Sequence, residues 1–356
     1  MIYLHIGTEK TGSTSIQKFL WKNRQKLAFN NIYVPDFLSN NHVDLVLYAA
    51  LRNSCRGLLI KKNLYEETLY NRFISTFPKV FVSRLQPLVD DGLNLVLTSE
   101  LLSTRLVKIE QINKLAELLQ QLKQPIKVII YLRRQDEYIA SSYSTSILNG
   151  HTFDLDSYIE KPNMNLNYYE FVNQWAQVFG KENIIVRAFQ LSKLLNQNVV
   201  ADFLQIIGLK EKMNLNPQEN DYFLNPALDY STIEFLRLLN HHFPEYINNQ
   251  YNFRRKNIVH SLQEISGNSK IKLPTIKAIE ILKKYKNSND QVSIEYLNNH
   301  SDSLFIEDDL SNPNYIEEQP ILDSAKAVKI AFDLINKLKT AKLESYSLTQ
   351  QEATIE

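Results

Sequence analysis

Short apolar runs alternate with segments of helical periodicity along the first 210 or so residues. Four runs are nearly continuous in apolar residues, IYLHI (2–6), NLVLTS (94–99), KVIIYL (127–132) and NIIVRAF (183–189), and NIYVP (31–35) is a shorter fifth. Such runs are typical of parallel strands covered on both faces. Apolar residues of 16–27 repeat at helical spacing between them, and those of 138–147 do so less regularly. The alternation predicts an α/β fold, with a doubly wound, mainly parallel sheet flanked by helices.

The texture of the sequence changes after residue 213. Segments rich in asparagine and tyrosine, such as NHHFPEYINNQYNFRRKN, surround helical stretches such as IEFLRLLN and TIKAIEILKKYK. We therefore expect residues 1–213 to form the α/β core and residues 214–340 to form a mainly helical region packed on it. Residues 341–356 are polar with weak periodicity, and we expect a tail that frays.

Composition sets limits on partners and compartment. The 356 residues are 44% hydrophobic, enough for one large domain or two smaller ones. Lys plus Arg number 40 against 39 Asp plus Glu, so net charge favours neither nucleic acid nor an anionic membrane. No apolar run approaches the ~18 residues of a spanning helix, and no signal peptide is recognisable. We expect a soluble, cytoplasmic protein, in which the single Cys55 is a half-buried packing residue.

The segment GTEKTGSTS (7–15) has the length and the glycines of a phosphate-binding loop. It lies between the first predicted strand and the first predicted helix, where backbone N–H groups and the helix dipole converge on an anion. A nucleotide kinase has its lysine directly after the second glycine, where this chain has Ser13; the lysine here is Lys10. A simple turn capped by Ser13 or Thr14 is the alternative. The strand-loop-helix context favours anion binding.

A second candidate anion site follows the strand 127–132. Arg133 and Arg134 come at its end, and Ser141 and Ser142 follow eight residues after each. Ligands of open parallel sheets bind outside the carboxyl ends of the strands. Arginine offers a fork to phosphate oxygens and serine a hydroxyl. Taken alone, an arginine pair at a strand end is more often a solvated or salt-bridged turn.

Together, the two segments resemble the sulfotransferases that use 3′-phosphoadenosine 5′-phosphosulfate (PAPS), and the bacterial members most. The resemblance covers roughly residues 1 to 210 and implies a P-loop-like fold. It implies that the 3′-phosphate is held by Arg133 and Ser141, with Lys10 at the bridging oxygen of the phosphosulfate. The residues that it implies for the 5′-phosphosulfate are Lys10, Thr11, Gly12, Ser13, Thr14 and Ser15. Glu9 departs from the family, which commonly has proline or another uncharged or basic residue there.

The resemblance also implies the chemistry. A sulfuryl group passes in line to a hydroxyl, or an amine, of a carbohydrate or other hydroxylated acceptor, and no metal is required because the sulfuryl group carries less charge than a phosphoryl group. Family members use either a glutamate or a histidine as the base, and both Glu100 and His42 are candidates. Glu100 lies at the end of a predicted strand, whereas His42 has an imidazole suited to neutral pH. His5 is a third option, although a histidine inside a strand favours a hydrogen-bonded core residue.

Two other functions stay open at this point. An ATP-dependent P-loop kinase would need a lysine after Gly12 and an aspartate for magnesium. A nucleotide-binding module without catalysis is the second, and Glu9 is the hint for it. The cluster Arg254, Arg255 and Lys256 could complete the 3′-phosphate site or bind an anionic acceptor, yet adjacent cations usually form a solvated surface. FDLDSY (153–158) has the D-x-D spacing of metal-dependent sugar transferases, but the pattern is too short to outweigh chance.

Overall fold

Parallel strands form the centre of the fold. A computed structural model describes residues 1–160, 165–209, 228–266, 271–297, 303–306 and 321–352, with side chains up to residue 340. Its main sheet contains β1 (Ile2–Gly7), β2 (Ile32–Tyr33), β3 (Asn94–Thr98), β4 (Ile126–Leu132) and β5 (Ile184–Ala188). The order is β2-β3-β1-β4-β5, and all neighbours are parallel. The predicted α/β fold with a doubly wound parallel sheet is therefore confirmed.

Helices make up most of the remaining described chain. They are α1 (Ser13–Ala28), α2 (Val43–Ala49), α3 (Arg56–Lys61), α4 (Glu67–Asp90), α5 (Leu101–Arg105), α6 (Ile109–Gln120), α7 (Gln135–Leu148), α8 (Leu155–Ile159), α9 (Tyr168–Phe179), α10 (Val199–Ile206), α11 (Tyr230–Leu239), α12 (Phe253–Ile265), α13 (Thr275–Tyr296) and α14 (Ser324–Glu352). A two-stranded antiparallel hairpin, β6 (Tyr246–Ile247) and β7 (Gln250–Tyr251), precedes α12. No helix in these ranges is both long and apolar enough to cross a bilayer.

The sheet is buried on both faces, which explains its continuous apolar runs. Successive side chains of a strand point to opposite faces. In β4, Val128 and Ile130 belong to a core that includes residues of α6 and α9. Ile129 and Tyr131 belong to a second core on the other face, with residues of α1 and α10. All four side chains are fully buried, so the pattern cannot alternate between apolar and polar.

The order of the strands reverses around β1. Its neighbours are β3 on one side and β4 on the other, so the chain crosses the sheet in both directions from this strand. Ligands of open α/β sheets bind at such a switch point, at the carboxyl ends of the strands. Gly7 ends β1, Glu100 follows β3 and Arg133 follows β4 directly.

The chain divides into two compact units, each built from three segments. The first comprises Met1–Gln135, Asn163–Leu224 and Glu280–Asp309, and the second comprises Asp136–Pro162, Asn225–Ile279 and Leu310–Glu356. The predicted boundary at residue 213 lies outside the described residues and stays a prediction. Within the second unit, Tyr143 of α7 donates to Glu234 of α11 at 2.7 Å. Long-range contacts of this kind place α7 with later helices, and local composition does not reveal them.

The last helix extends into the segment predicted to be a polar tail, and its fraying stays a prediction. Helix α14 continues to Glu352, through most of the segment expected to fray from residue 341. The segment TAKLESYSLTQQE is rich in alanine, lysine, leucine, glutamate and glutamine, all good helix formers. Propensity therefore outweighs the weak apolar periodicity there. Residues 353–356 lie outside the described residues.

Candidate functional site

The loop between β1 and α1 has three residues in the left-handed region. Gly7 has φ 87°, Lys10 has φ 64° and Gly12 has φ 78°. A Cβ on Gly7 would lie 2.9 Å from the Glu100 Cβ, and one on Gly12 would lie 2.8 Å from the Val199 Cγ1. Glycine is thus required at both positions by conformation and by space. Lys10 has no such freedom, and a lysine in this conformation is uncommon.

Hydroxyl groups close the loop and fix it to the sheet. Thr8 donates to the Tyr131 carbonyl from its N–H at 2.8 Å and from its Oγ1 at 3.0 Å. The Thr8 carbonyl in turn accepts from the Thr11 Oγ1 at 2.5 Å and from the Ser13 Oγ at 3.2 Å. Both hydroxyls therefore use their protons inside the loop, and each keeps acceptor lone pairs only. Their predicted contact with a phosphosulfate stays a prediction.

The first turn of α1 opens toward the loop. Its N-cap residue is Gly12, which offers no side-chain cap, and no acidic residue lies in the first turn. The N–H groups of Ser15 and Ile16 donate to the Gly12 carbonyl at 2.9 and 3.1 Å. Ser15 is buried, whereas the Thr14 side chain is exposed. A helix N-terminus without a cap or a carboxylate carries partial positive charge, which attracts anions.

Lys10 brings a half-buried cation into this loop. Burial lowers the pKa of its ammonium, Glu9 and Glu100 act in the opposite direction, and Arg133 lowers it further. Among the described residues, the ammonium has no ion-pair partner within 4.0 Å. Since desolvating a charge is costly unless the charge is paired, this position favours an anionic ligand.

Arg133 faces the same loop from the end of β4. Its Nη1 donates to the Lys10 carbonyl at 3.2 Å, and its guanidinium carbon lies 5.9 Å from the centre of the Phe189 ring. The Arg133 carbonyl accepts a hydrogen bond from the Tyr168 hydroxyl. Ser141 lies on α7 in the second unit and is half-buried. Its share in a 3′-phosphate site stays a prediction.

Glu100 lies beside the loop, two residues after the end of β3. It is the N-cap residue of α5 and has helical backbone angles, φ −64° and ψ −24°. Its Oε2 accepts a hydrogen bond from the Gln17 Nε2 at 2.5 Å. It also contributes to the electrostatic environment of both Glu9 and Lys10. A half-exposed carboxylate thus lies at the carboxyl edge of the sheet, close to the candidate anion site.

The two histidines considered as bases are both fully buried. The His42 Nδ1 accepts from the Thr98 N–H at 3.0 Å, and burial lowers the pKa of His42 to about 4, with the Pro35 carbonyl acting in the opposite direction. The His5 Nδ1 lies 2.8 Å from the Thr98 Oγ1, and burial lowers the pKa of His5 to about 3. The interpretation of His5 as a hydrogen-bonded core residue is confirmed.

Glu9, which departs from the family pattern, lies among opposing charges. Burial raises the pKa of its carboxyl, Arg105 and Lys10 lower it, and Glu100 raises it. Arg105 ends α5, and its Nε is buried without a hydrogen-bond partner. Neither Arg105 nor Gln17 belongs to the motifs that the sequence indicated. A signal for Gln17 exists, because it is a polar residue next to Ile16 on the buried side of an amphipathic helix.

The weaker sequence candidates have structural roles in the second unit. Arg255 is buried, and its Nη2 donates to the Ile147 carbonyl at 3.1 Å and to the Asn240 Oδ1 at 2.9 Å. Its neighbours Arg254 and Lys256 are exposed, as expected for a solvated surface.

The two aspartates of FDLDSY are also accounted for. Asp154 caps α8 by accepting from the Ser157 N–H at 2.8 Å, and Asp156 pairs with Lys277. In the part of the chain that the structure describes, no three metal-ligating side chains are grouped.

The fold and the loop define an α/β protein with a candidate anion site at the switch point of a parallel sheet. No family model matches the chain. A protein described as uncharacterized, from Archaeoglobus fulgidus, is 26% identical over 190 residues, which are 52% of this chain and 49% of that protein. The chain thus spans about half the length of this relative.

A solved structure, that of a sulfotransferase from Alicyclobacillus acidocaldarius, is similar with a TM-score of 0.34 and 17% identity. The similarity covers 61% of this chain and 86% of that one. Neither comparison assigns the chain to a family.

Proposed function

We propose that this chain is a PAPS-dependent sulfotransferase that acts on a carbohydrate or another hydroxylated acceptor. The observation that carries the proposal is Lys10. It is a half-buried ammonium without an ion-pair partner among the described residues, in a left-handed loop that opens α1. Arg133 donates to its carbonyl, so a second cation lies at the same loop. This arrangement suits a ligand with two separate anionic groups.

The loop fits the phosphosulfate end of such a ligand. A side chain at Gly7 or Gly12 would collide with Glu100 or Val199, so glycine at both positions lets the loop pack directly on these two residues. The uncapped first turn of α1 offers backbone N–H groups, and Lys10 offers a point charge for the bridging oxygen. Donors held in place before the reaction stabilise the charge that develops on the leaving oxygen.

The role of Arg133 in this proposal is to hold the 3′-phosphate. Its guanidinium presents a planar fork of donors, which matches phosphate oxygens. The resemblance also implies Ser141 as a ligand of the 3′-phosphate. PAPS supplies the activated sulfuryl group, and its product is adenosine 3′,5′-bisphosphate (PAP).

Glu100 is the base that we propose for the acceptor's proton. In the transfer, the acceptor oxygen forms a bond to sulfur, and the bond between sulfur and the bridging oxygen breaks with its electron pair left on PAP. The acceptor's proton passes to the Glu100 carboxylate. His42 is less suited because it is fully buried and the Thr98 N–H occupies its Nδ1.

Calorimetric titration with PAP and ADP tests the proposal. We expect PAP to bind at least tenfold more tightly, because ADP lacks the 3′-phosphate and one charge-assisted hydrogen bond is worth ~1.5–3 kcal/mol. Arg133→Ala should abolish this preference and leave ADP binding nearly unchanged. Arg84→Ala is a matched control, since Arg84 also lies over an aromatic ring, 5.0 Å from the centre of Phe37 on another part of the first unit. Equal affinities for PAP and ADP in the wild type would contradict the proposal.

A further inference from the structure

Gln17 is a buried polar residue one turn into α1. It is 6% exposed, and its neighbours Ile16 and Leu20 belong to the core on the face of the sheet covered by α1 and α10. Its Nε2 donates to the Glu100 Oε2 at 2.5 Å. The hydrogen bond joins the helix that follows the candidate anion loop to the carboxylate that follows β3.

We infer that Gln17 is a positioning residue that holds the Glu100 carboxylate turned so that one oxygen is available to the acceptor. The inference rests on the proposed function, in which Glu100 takes the acceptor's proton. Gln17 itself touches neither the sulfuryl group nor the acceptor in this role. It acts through Glu100.

The chemistry of the two groups gives the hydrogen bond its direction. An ionised carboxylate only accepts, so the amide N–H of Gln17 must be the donor. A hydrogen bond to a charged acceptor is roughly twice as strong as one between neutral groups, so Gln17 stabilises the ionised form over the protonated form. Because Oε2 is engaged, Oε1 keeps its lone pairs for a proton.

The backbone of Glu100 is restrained as well as its side chain. The Glu100 Cα lies only 3.0 Å from where a Cβ on Gly7 would be, so the loop packs directly on this residue. Gln17 then fixes the far end of the side chain. Two restraints on a side chain with three rotatable bonds reduce the rotamer freedom that it would otherwise lose on binding an acceptor.

Charged residues of the loop lie near Glu100. Lys10 and Glu9 both interact electrostatically with it, and Glu9 is itself influenced by Arg105. Gln17 is neutral, so its replacement by methionine removes the donor without a change in net charge. Methionine also has nearly the length and the flexibility to fill the same buried space.

The test combines a titration of Glu100 with the pH profile of transfer. In protein labelled with ¹³C-glutamate, the Glu100 carboxyl signal is assigned by its loss in Glu100→Gln. In Gln17→Met, we expect its titration midpoint to move up by about one pH unit, the equivalent of one charge-assisted hydrogen bond. The acid limb of sulfuryl transfer should move in the same direction, while PAP affinity stays within about twofold of wild type.

Two further variants make the result specific. Gln17→Glu places a second carboxylate against Glu100 and should move the midpoint further in the same direction, because like charges oppose ionisation. Gln86→Met is the control: the Gln86 Nε2 also donates to a carboxylate, Asp90, at 2.8 Å, but on the exposed side of α4. It should leave the Glu100 midpoint and the pH profile unchanged.

The outcomes separate the two hypotheses. A wild-type protein that does not prefer PAP and does not transfer sulfuryl from PAPS overturns the proposed function, and with it the inference. An active wild type and a folded Gln17→Met variant with an unchanged midpoint and acid limb overturn only the role of Gln17. Should Gln17→Met fail to fold, the same comparison with Gln17→Glu decides the question.

Discussion

Two carboxylates of the first unit, Glu100 and Asp202, have opposite surroundings. Asp202 is 1% exposed and accepts from the Tyr131 hydroxyl at 2.8 Å and from the Arg187 Nε and Nη2 at 3.1 Å each. Glu100 is half-exposed and accepts one side-chain hydrogen bond, from Gln17. A carboxylate whose oxygens all accept hydrogen bonds from its own protein stabilises the fold. A carboxylate with acceptor sites left over, close to a cation such as Lys10, can take part in a reaction.

The group formed by Tyr131, Arg187 and Asp202, here called the Asp202 network, connects three elements. Tyr131 lies on β4, Arg187 on β5 and Asp202 on α10. Burial and Asp202 both raise the pKa of Tyr131 far above its usual range, so its hydroxyl stays a donor. The same helix, α10, begins with Val199, which lies against Gly12. The Asp202 network therefore fixes to the sheet the helix whose first residue packs against the loop.

The same chemical change at the two carboxylates should have opposite consequences. Glu100→Gln keeps shape and removes basicity, so sulfuryl transfer should fall by ~10²–10⁴ with PAP affinity and thermal stability nearly unchanged. Asp202→Asn removes the charge that Arg187 pairs with, and should lower the free energy of unfolding by ~1.5–3 kcal/mol, with a smaller effect on the rate of transfer in the folded protein. Steady-state kinetics and urea unfolding of both variants measure the contrast.

The contrast between Glu100 and Asp202 would fail if His42 were the base. If His42 rather than Glu100 is the base, a substitution at His42 should lower transfer by a comparable factor and Glu100→Gln should cost little. Transfer should then also decline as the pH falls through the range in which an imidazole gains its proton. If Asp202→Asn were fully folded and still lost most of its sulfuryl transfer, the division into a reactive and a structural carboxylate would also be contradicted.

The cations next to these two carboxylates, Lys10 and Arg187, allow a second contrast. Lys10 has no ion-pair partner among the described residues, whereas the Arg187 Nη2 pairs with the Asp202 Oδ1 at 3.1 Å. Lys10→Met should lower transfer by about 10²–10³, the cost of one donor to a developing negative charge, and should not lower stability because a half-buried cation is removed. Arg187→Met leaves Asp202 without its pair and should lower the free energy of unfolding by ~3 kcal/mol.

Thermal unfolding and transfer assays of both variants test this contrast. The result that counts against it is a Lys10→Met variant that melts well below wild type and keeps its rate. Lys10 would then be a structural cation, and the main support for the proposed function would be lost.

The sequence was sufficient for the sheet and for the place of the loop. Buried parallel strands such as β4 are continuous in apolar residues because both faces are covered, and this signal is local. The glycines of the loop were equally readable, since Gly7 and Gly12 stand between a strand and a helix in a chain with eight glycines in all.

Pairings across long sequence distances were not predictable. Gln17 and Glu100 are 83 residues apart. The division into two units depends in the same way on α7 and its hydrogen bond from Tyr143 to Glu234, 91 residues away. Local pattern fixes elements, but only packing decides which polar side chains meet.

His42 is a buried residue of the core, and the pH dependence of stability tests whether its imidazole stays neutral there. Its pKa is lowered to about 4 in the folded protein, from an ordinary value of 6.5. Above about pH 6.5 neither state binds a proton there, so the residue adds no pH dependence. Between pH 6.5 and 4 the unfolded chain binds the proton first, so the free energy of unfolding falls as the pH falls. At pH 5 this loss is about 2 kcal/mol relative to pH 7.

His42→Asn should remove that loss. Asparagine tolerates the left-handed backbone of this position, φ 42°, and offers an oxygen to the Thr98 N–H where the Nδ1 now accepts. Urea unfolding at pH 7 and pH 5 should show a difference between the two pH values that is smaller by about 2 kcal/mol in His42→Asn than in wild type. His260→Asn is the control, because the His260 side chain is 72% exposed, and it should leave the difference unchanged. An unchanged difference in His42→Asn would mean that the imidazole takes up its proton in the folded state at its ordinary pH, and His42 would return as a candidate base beside Glu100.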